Sequence, residues 1–315
     1  MRTLIVGAAG FLGRNALLRF PHQWDIAALY RPDDGAFESF IAKHVQRRVH
    51  CYPCDLTDAA QVDGAARAIG ADWDQCLFLA ANTSIPESIE RPDTDLKSNT
   101  LTLLNVLMRM RIGHLVFLSS GAVYYGRTGL VGPETPVAPT LPYAISKLAS
   151  EQYVRAWRER HDNPRRATIV RFFGAYGPHE PARKLYTKVT RRFAFERNPK
   201  FVVTGDGENL IDAMYVDDAI AALRATLDKP PSGAETVDLG VGAGETVNSV
   251  VERAARVFGL EARITHEGAP PEYIEFRIDP ERFVARYGVR PRTSLEDGLS
   301  LLARNLAQED EDARL

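Results

Sequence analysis

MRTLIVGAAGFLG, residues 1–13, decides how the rest of the chain is read. Leu4–Val6 is a short apolar run, and Gly7, Gly10 and Gly13 follow at G-x-x-G-x-x-G spacing. Phe11, Leu12, Ala16 and Leu17 then recur at helical intervals. A strand, a glycine turn and a helix in that order form the setting in which such glycines hold an anion. Without a Cβ, the backbone N–H groups can approach a pyrophosphate, and the helix behind presents the positive end of its dipole. The stretch predicts a dinucleotide cradle built from Gly7, Gly10, Phe11, Leu12 and Gly13.

Outward from it, strand-like runs alternate with helical patterns. The strand candidates are Thr3–Val6, Asp25–Leu29, Val49–Tyr52, Gln75–Leu79, His114–Leu118, Thr168–Arg171 and Phe201–Val203; Leu96–Met110 and Tyr143–Glu159 read as helices. This alternation predicts an α/β fold, a Rossmann-type doubly wound parallel sheet with helices on both faces. Function should then gather just beyond the C-terminal strand ends. After about Gly177 the pattern loosens and Gly/Pro signals divide shorter elements. The expected division is a dinucleotide-binding domain over 1–176 that also receives about 208–240. A smaller C-terminal α/β substrate lobe would comprise 177–207 and 241–315.

The chain has 315 residues, 39 basic against 41 acidic, with a net charge of −2, so charge points to neither nucleic acid nor membrane as a partner. No apolar run reaches membrane-span length, and the first strand begins too early to leave room for a signal peptide. The three cysteines, Cys51, Cys54 and Cys76, make no disulfide framework, which suggests a cytoplasmic protein. Cys51 and Cys54 form a CxxC, but VHCYPCDL reads as a strand entering a loop. It is taken as structural, with no metal or redox site.

Tyr143 and Lys147, in PYAISKLASEQYV, stand four apart and share one helix face. A free phenol has a pKa near ~10, and a neighbouring ammonium favours the phenolate. About two dozen residues earlier, HLVFLSSGAVYYG ends a buried strand in Ser119–Ser120–Gly121. A hydroxyl there could bond a substrate oxygen while Tyr143 exchanges its proton.

Together these segments resemble the extended short-chain dehydrogenase/reductase family, in its NAD(P)-dependent epimerase/dehydratase branch. The likeness runs from GAAGFLG through CDLTD, CLFLAAN, SNTLTLLNVL, LSSGAVY, YAISK, VRFFGAYGP, VTGDGENLIDAMYVDDA and VDLGVGAGETV to GVRPRTSLEDGL. It implies that Ser120, Tyr143 and Lys147 are catalytic and that Asn99 holds the proton-relay helix. Asp55 and Leu56 would flank the adenine, Ala80 and Ala81 would line the cofactor, and Phe172 to Gly174 would lie near the nicotinamide and substrate. A homodimer is implied through helices over Asp95–Met110 and Tyr143–Arg158.

At the end of the second strand, where an NAD-binding acid belongs, stands Tyr30, followed by Arg31. A missing carboxylate beside an arginine suits a 2′-phosphate, so NADP is expected over NAD, although Asp33 or Asp34 could serve the ribose. The dehydratases of the branch carry an Asp–Glu pair after the catalytic hydroxyl; Gly121–Ala122 stands here. His179, in YGPHE, matches an epimerising histidine of the GDP-fucose synthase subgroup, whose partner cysteine falls on Gly121. Hydride transfer at one sugar carbinol or keto carbon, of a nucleotide-activated sugar, is the expected activity.

The usual diphosphate anchors are altered: Ile211 precedes Asp212, Gly174 replaces an asparagine, and HEGAPPEY lacks an arginine, with Arg277 a few residues on. Arg183 and Lys184, with Lys188 and Arg191 on a helix, could compensate. The alternatives are a reductase of a small carbonyl compound without a diphosphate, and a silent dinucleotide-binding regulator.

Overall fold

The structure is a computed structural model that describes residues 1–32, 35–159, 165–269 and 274–312; Asp33 and Asp34 lie outside them. The first half runs β1 Arg2–Val6, α1 Phe11–Arg19, β2 Asp25–Tyr30, α2 Ala36–His44, β3 Val49–Pro53, α3 Ala59–Ile69 and β4 Asp72–Phe78. It continues α4 Ile85–Glu90, α5 Pro92–Leu96, α6 Thr102–Arg109, β5 Arg111–Ser120, β6 Thr128–Val131, α7 Pro142–Glu159, β7 Arg166–Phe172 and β8 Ala175–Tyr176. Then come α8 Leu185–Thr190, β9 Lys200–Thr204, β10 Leu210–Ile211, β11 Met214–Tyr215, α9 Val216–Asp228, β12 Ala234–Leu239 and β13 Glu245–Thr246. The chain closes with α10 Val247–Val257, β14 Arg263–Glu267, β15 Glu275–Ile278, α11 Glu281–Tyr287 and α12 Leu295–Asp312.

The main sheet has seven parallel strands in the order β12-β7-β5-β4-β1-β2-β3. The chain winds outward from β1 to β3, returns to the other side of β1, and winds outward again from β4. That reversal between β1 and β4 is the crevice where parallel sheets bind ligands. Both faces are covered because the strands are apolar on both sides. One face takes Ala16 and Leu17 of α1 and Ala219, Ile220 and Leu223 of α9. The other takes Val62 and Ala65 of α3, Leu103, Val106 and Leu107 of α6, and Val154 and Trp157 of α7.

The C-terminal elements do not form a separate core. Tyr186, Val189, Val250, Leu299 and Leu302, from α8, α10 and α12, join the same apolar cluster as β1 and α9. Small strand pairs, β9 with β14 and β10 with β13, frame this region, while β15 pairs with β6. That last pairing carries Phe276 into a cluster with Val123, Tyr124 and Val131.

Three sequence expectations change. β12, the seventh sheet strand, is absent from the strand candidates; it is an edge strand whose residues are mostly half-buried, so its apolar signal is weak. The helix expected over Leu96–Met110 is interrupted by a π-helical turn, Lys97–Leu101, centred on Asn99. Arg183 and Lys184 precede α8 rather than lying on it: Lys184 is the N-cap and Arg183 an exposed turn residue.

Candidate active site

Gly7, just past β1, has φ +85, and a Cβ there would lie 2.7 Å from the Ala80 backbone N. A Cβ on Gly13 would meet the Ala8 carbonyl oxygen at 2.5 Å. These two glycines let the turn pack flush against the segment after β4 and against itself. Gly10 differs, since its φ is an ordinary −74 and a Cβ would approach only the Gly7 carbonyl oxygen, at 3.3 Å. It is the N-cap of α1, and no side chain caps that helix. The first-turn N–H groups around Phe11 and Leu12 therefore face the open end of the crevice, which fits a dinucleotide pyrophosphate.

Parallel register places the other strand ends beside this cradle. Leu79 N donates to Val6 O at 2.8 Å, which sets Ala80 and Ala81 next to Gly7. Asp55 and Leu56 follow β3; Asp55 Oδ1 accepts from Thr57 N and Oγ1 at 2.9 and 2.7 Å, and Leu56 is buried. Ser120 aligns with Phe172, and Phe172 with Leu239, at the ends of β5, β7 and β12. Gly174 follows, with φ +146, against Asp212 and Ala213. Arg31 is exposed beyond β2.

Ser120 Oγ accepts from Ala122 N at 3.1 Å, capping the 3-10 turn Gly121–Tyr124. The cap uses an oxygen lone pair and leaves the hydroxyl hydrogen to donate. Tyr143 opens the first turn of α7. One turn on, Lys147 is 2% exposed; its Nζ donates to Leu118 O at 2.5 Å and sits 4.5 Å from the centre of the Phe117 ring. Burial pulls the Lys147 ammonium down to about 8, while the Glu151 and Asp95 carboxylates oppose that fall.

Asn99 is fully buried and hydrogen-bonded at both ends of its amide. Its Oδ1 accepts from Asn82 N at 2.8 Å, and its Nδ2 donates to Asp95 Oδ1 at 2.9 Å and Ser146 Oγ at 2.8 Å. It ties the loop after β4 to α7, a positioning role that the π turn makes possible by aiming the side chain inward.

His179 packs between α2 and α12. It stands T-shaped against Phe40 of α2, with ring centroids 5.1 Å apart, and Nδ1 lies 3.5 Å from Glu309 Oε1 of α12. Burial, with Arg14 and His44 nearby, lowers its pKa to about 4, so it is neutral at pH 7 and packs as an aromatic. Gly121 is buried beneath Phe173, whose ring would lie 3.0 Å from a Cβ there. Cys51 and Cys54 are free thiols pushed up to about 11, chiefly by burial, as unreactive structural cysteines are.

Beneath the candidate residues runs a buried polar chain that no sequence motif had marked. Glu151, fully buried, accepts from Ser119 Oγ at 2.6 Å and from Arg171 Nε and Nη2 at 3.0 and 2.9 Å. Arg171 Nη1 donates to Tyr124 Oη at 2.8 Å, and Tyr124 donates to Asp238 Oδ1 at 2.9 Å. The chain ties α7 to the ends of β5, β7 and β12. Removing one partner of such a buried pair typically costs about 3–5 kcal/mol, because the other charge is left uncompensated. The available signal for Glu151 is its spacing: Tyr143, Lys147 and Glu151 lie at i, i+4 and i+8 on one helix face.

The sequence model described as the NAD dependent epimerase/dehydratase family matches residues 3–242. A low-salt glycan biosynthesis protein of Haloferax volcanii is 27% identical, covering 99% of this chain and 100% of its own. A dTDP-glucose 4,6-dehydratase of Mycolicibacterium smegmatis is 28% identical, covering 95% of this chain and 91% of its own. The solved UDP-glucose 4-epimerase of Thermus thermophilus, in complex with NAD, superposes with a TM-score of 0.83 at 25% identity, covering 98% of this chain and 99% of its own. With that sequence model matching residues 3–242, the chain belongs to the NAD dependent epimerase/dehydratase family.

Proposed function

We propose that the chain is an NAD(P)-dependent oxidoreductase or epimerase acting on a nucleotide-activated sugar, with hydride transfer at one carbinol or keto carbon. The observation that supports this reading is that the glycine turn after β1 and Ser120 after Leu118 stand at the C-terminal ends of parallel strands, with Lys147 of α7, one turn after Tyr143, donating to Leu118 O. When bound, the nicotinamide supplies hydride chemistry. The chain's own groups handle the oxygen and its proton. Ser120 donates to the substrate oxygen, Tyr143 gives or takes the carbinol proton, and the Lys147 ammonium favours the phenolate. Dehydration would need acid groups beside the catalytic hydroxyl. Positions 121 and 122 are glycine and alanine, and Phe173 closes the space over Gly121.

A second reading, a reductase of a smaller carbonyl compound, is favoured by one feature. Ile211 stands where a phosphate-binding arginine would be useful, and Asp212 is committed to the Val241 and Gly242 N–H groups at 2.7 and 2.8 Å. For a diphosphate, we assign the grip to Arg183 and Lys184, ahead of α8. A thermal-shift panel of nucleoside diphosphates separates the two readings. A ligand at a hundred times its Kd adds about 2.7 kcal/mol, so one responsive diphosphate is expected to stand out. No response to any of them would favour the small carbonyl.

For the cofactor, the exposed Arg31 beyond a strand ending in Tyr30 supports NADP over NAD. Tighter binding of NADP⁺ than NAD⁺, lost in Arg31→Ala, is the expected titration result. An NAD⁺ preference that survives Arg31→Ala would overturn this assignment.

The same reading includes a homodimer. Leu96, Leu101, Met108, Ile145 and Tyr153, on α5, the π turn, α6 and α7, are exposed apolar side chains of the two expected interface helices. Sedimentation at twice the mass of one chain is the matching result. The free cysteines fit a reducing, cytoplasmic setting, and among the described residues no helix is long and apolar enough to cross a membrane.

A further inference from the structure

Asp95 is 1% exposed, yet among the described residues no cation forms a salt bridge or hydrogen bond with it. Its Oδ1 accepts from Asn99 Nδ2 at 2.9 Å and Asn82 Nδ2 at 3.3 Å; its Oδ2 accepts from Ser146 Oγ at 2.6 Å. Neutral donors hold the carboxylate without cancelling its charge. Those donors come from the loop after β4, the π turn and α7, and Ser146 immediately precedes Lys147. Ser146 Oγ also lies 2.9 Å from the Tyr143 carbonyl oxygen. One carboxylate thus reaches the backbone that carries Tyr143 and the residue before Lys147.

We propose that Asp95 is the positioning residue of this site, a buried anion that fixes the first turn of α7 and keeps the Lys147 ammonium charged beside Tyr143. The inference rests on the reading of Tyr143 and Lys147 as the proton-handling pair. The groups around Lys147 show why Asp95 has this role. On α7 it has Tyr143 and Glu151; on β5, the Leu118 carbonyl and the Phe117 ring; on β7, Arg171, through Glu151. Glu151 is the other nearby carboxylate and the larger of the two in opposing the fall at Lys147, but it also serves Arg171, which grips both its oxygens, and Arg155, whose Nη1 lies 3.6 Å away. Asp95 has no such counterion among its contacts. Burial raises the Asp95 carboxyl above the ordinary aspartate value, and its Ser146, Asn82 and Asn99 hydrogen bonds and the Lys147 charge oppose that rise, so the two buried charges favour one another.

The test is a pH titration of Lys147 by NMR of isotope-labelled lysine side chains, with Lys147→Arg assigning the signal. In the unsubstituted protein the midpoint should fall near 8, lowered by burial and held up in part by Glu151 and Asp95. Asp95→Asn is isosteric: its amide can donate to Ser146 Oγ, freeing that hydroxyl for the Tyr143 carbonyl. The Lys147 midpoint should then fall by about one pH unit, a tenfold change in proton affinity. Asp95→Ser removes the same charge in a smaller side chain and should shift it likewise. An unchanged midpoint in a folded variant of either kind overturns the proposal, because a purely structural acid would leave it where it was. A midpoint at the ordinary lysine value in the unsubstituted protein overturns the underlying site reading instead.

Discussion

Tyr143→Phe should lower turnover by about 10²- to 10⁴-fold, the usual contribution of a positioned general acid–base group. The variant removes one oxygen and keeps the ring, and α7 stays anchored through Ser146 to Asp95 and through Glu151 to Arg171. Helix and cofactor cradle should therefore be undisturbed, with the Kd for NAD(P) changed by no more than about twofold. The loss should fall on kcat with the nucleotide sugar that the binding panel identifies, because proton transfer belongs to the transition state and not to binding. Turnover retained in a folded Tyr143→Phe protein would remove Tyr143 from the reaction. It would leave Ser120 and Lys147 as a binding feature.

The second large effect separates folding from cofactor binding within one turn. At Gly7 alanine would have to adopt φ +85 and place its Cβ 2.7 Å from the Ala80 backbone N. The left-handed conformation alone costs roughly 1–2 kcal/mol, and the contact must be relieved by moving backbone rather than a side chain. Gly7→Ala should lower the melting temperature by several degrees and weaken NAD(P) at least about tenfold, roughly 1.4 kcal/mol. Gly10→Ala should behave differently. Its backbone suits any residue, and a Cβ there meets only the Gly7 carbonyl oxygen, at 3.3 Å. Its melting temperature should stay near that of the unsubstituted protein while NAD(P) affinity falls, since the methyl would stand over the first-turn N–H groups of α1. Full affinity in Gly10→Ala would place the pyrophosphate elsewhere.

The parts of the fold that the sequence made legible are those where local pattern and tertiary role coincide. Thr3–Val6 and His114–Leu118 are buried on both faces, so their apolar runs stand out, and the glycine spacing follows from a requirement of backbone geometry. Tyr143 and Lys147 share a helix face by spacing alone. β12 hid because an edge strand is only half-buried. The π turn at Asn99 hid because it is a single turn, too short to stand out in the apolar spacing of Leu96–Met110. Asp95 and the Glu151–Arg171–Tyr124–Asp238 chain depend on residues far apart in sequence, and Asp95, Arg171 and Asp238 each look alone like an ordinary surface charge. The partners of His179, Phe40 of α2 and Glu309 of α12, are far away in the chain, so its surroundings could not be read from YGPHE.

The most direct measurement of the central claim is the near-ultraviolet absorbance of reduced nicotinamide when the protein and oxidised NAD(P) are mixed with a panel of nucleotide sugars. Reduction is expected with one class of nucleotide sugar, transient for an epimerase and lasting for a dehydrogenase, and it should be lost in Tyr143→Phe. Reduction by a small alcohol with none from any nucleotide sugar, or reduction undiminished in Tyr143→Phe, would contradict it.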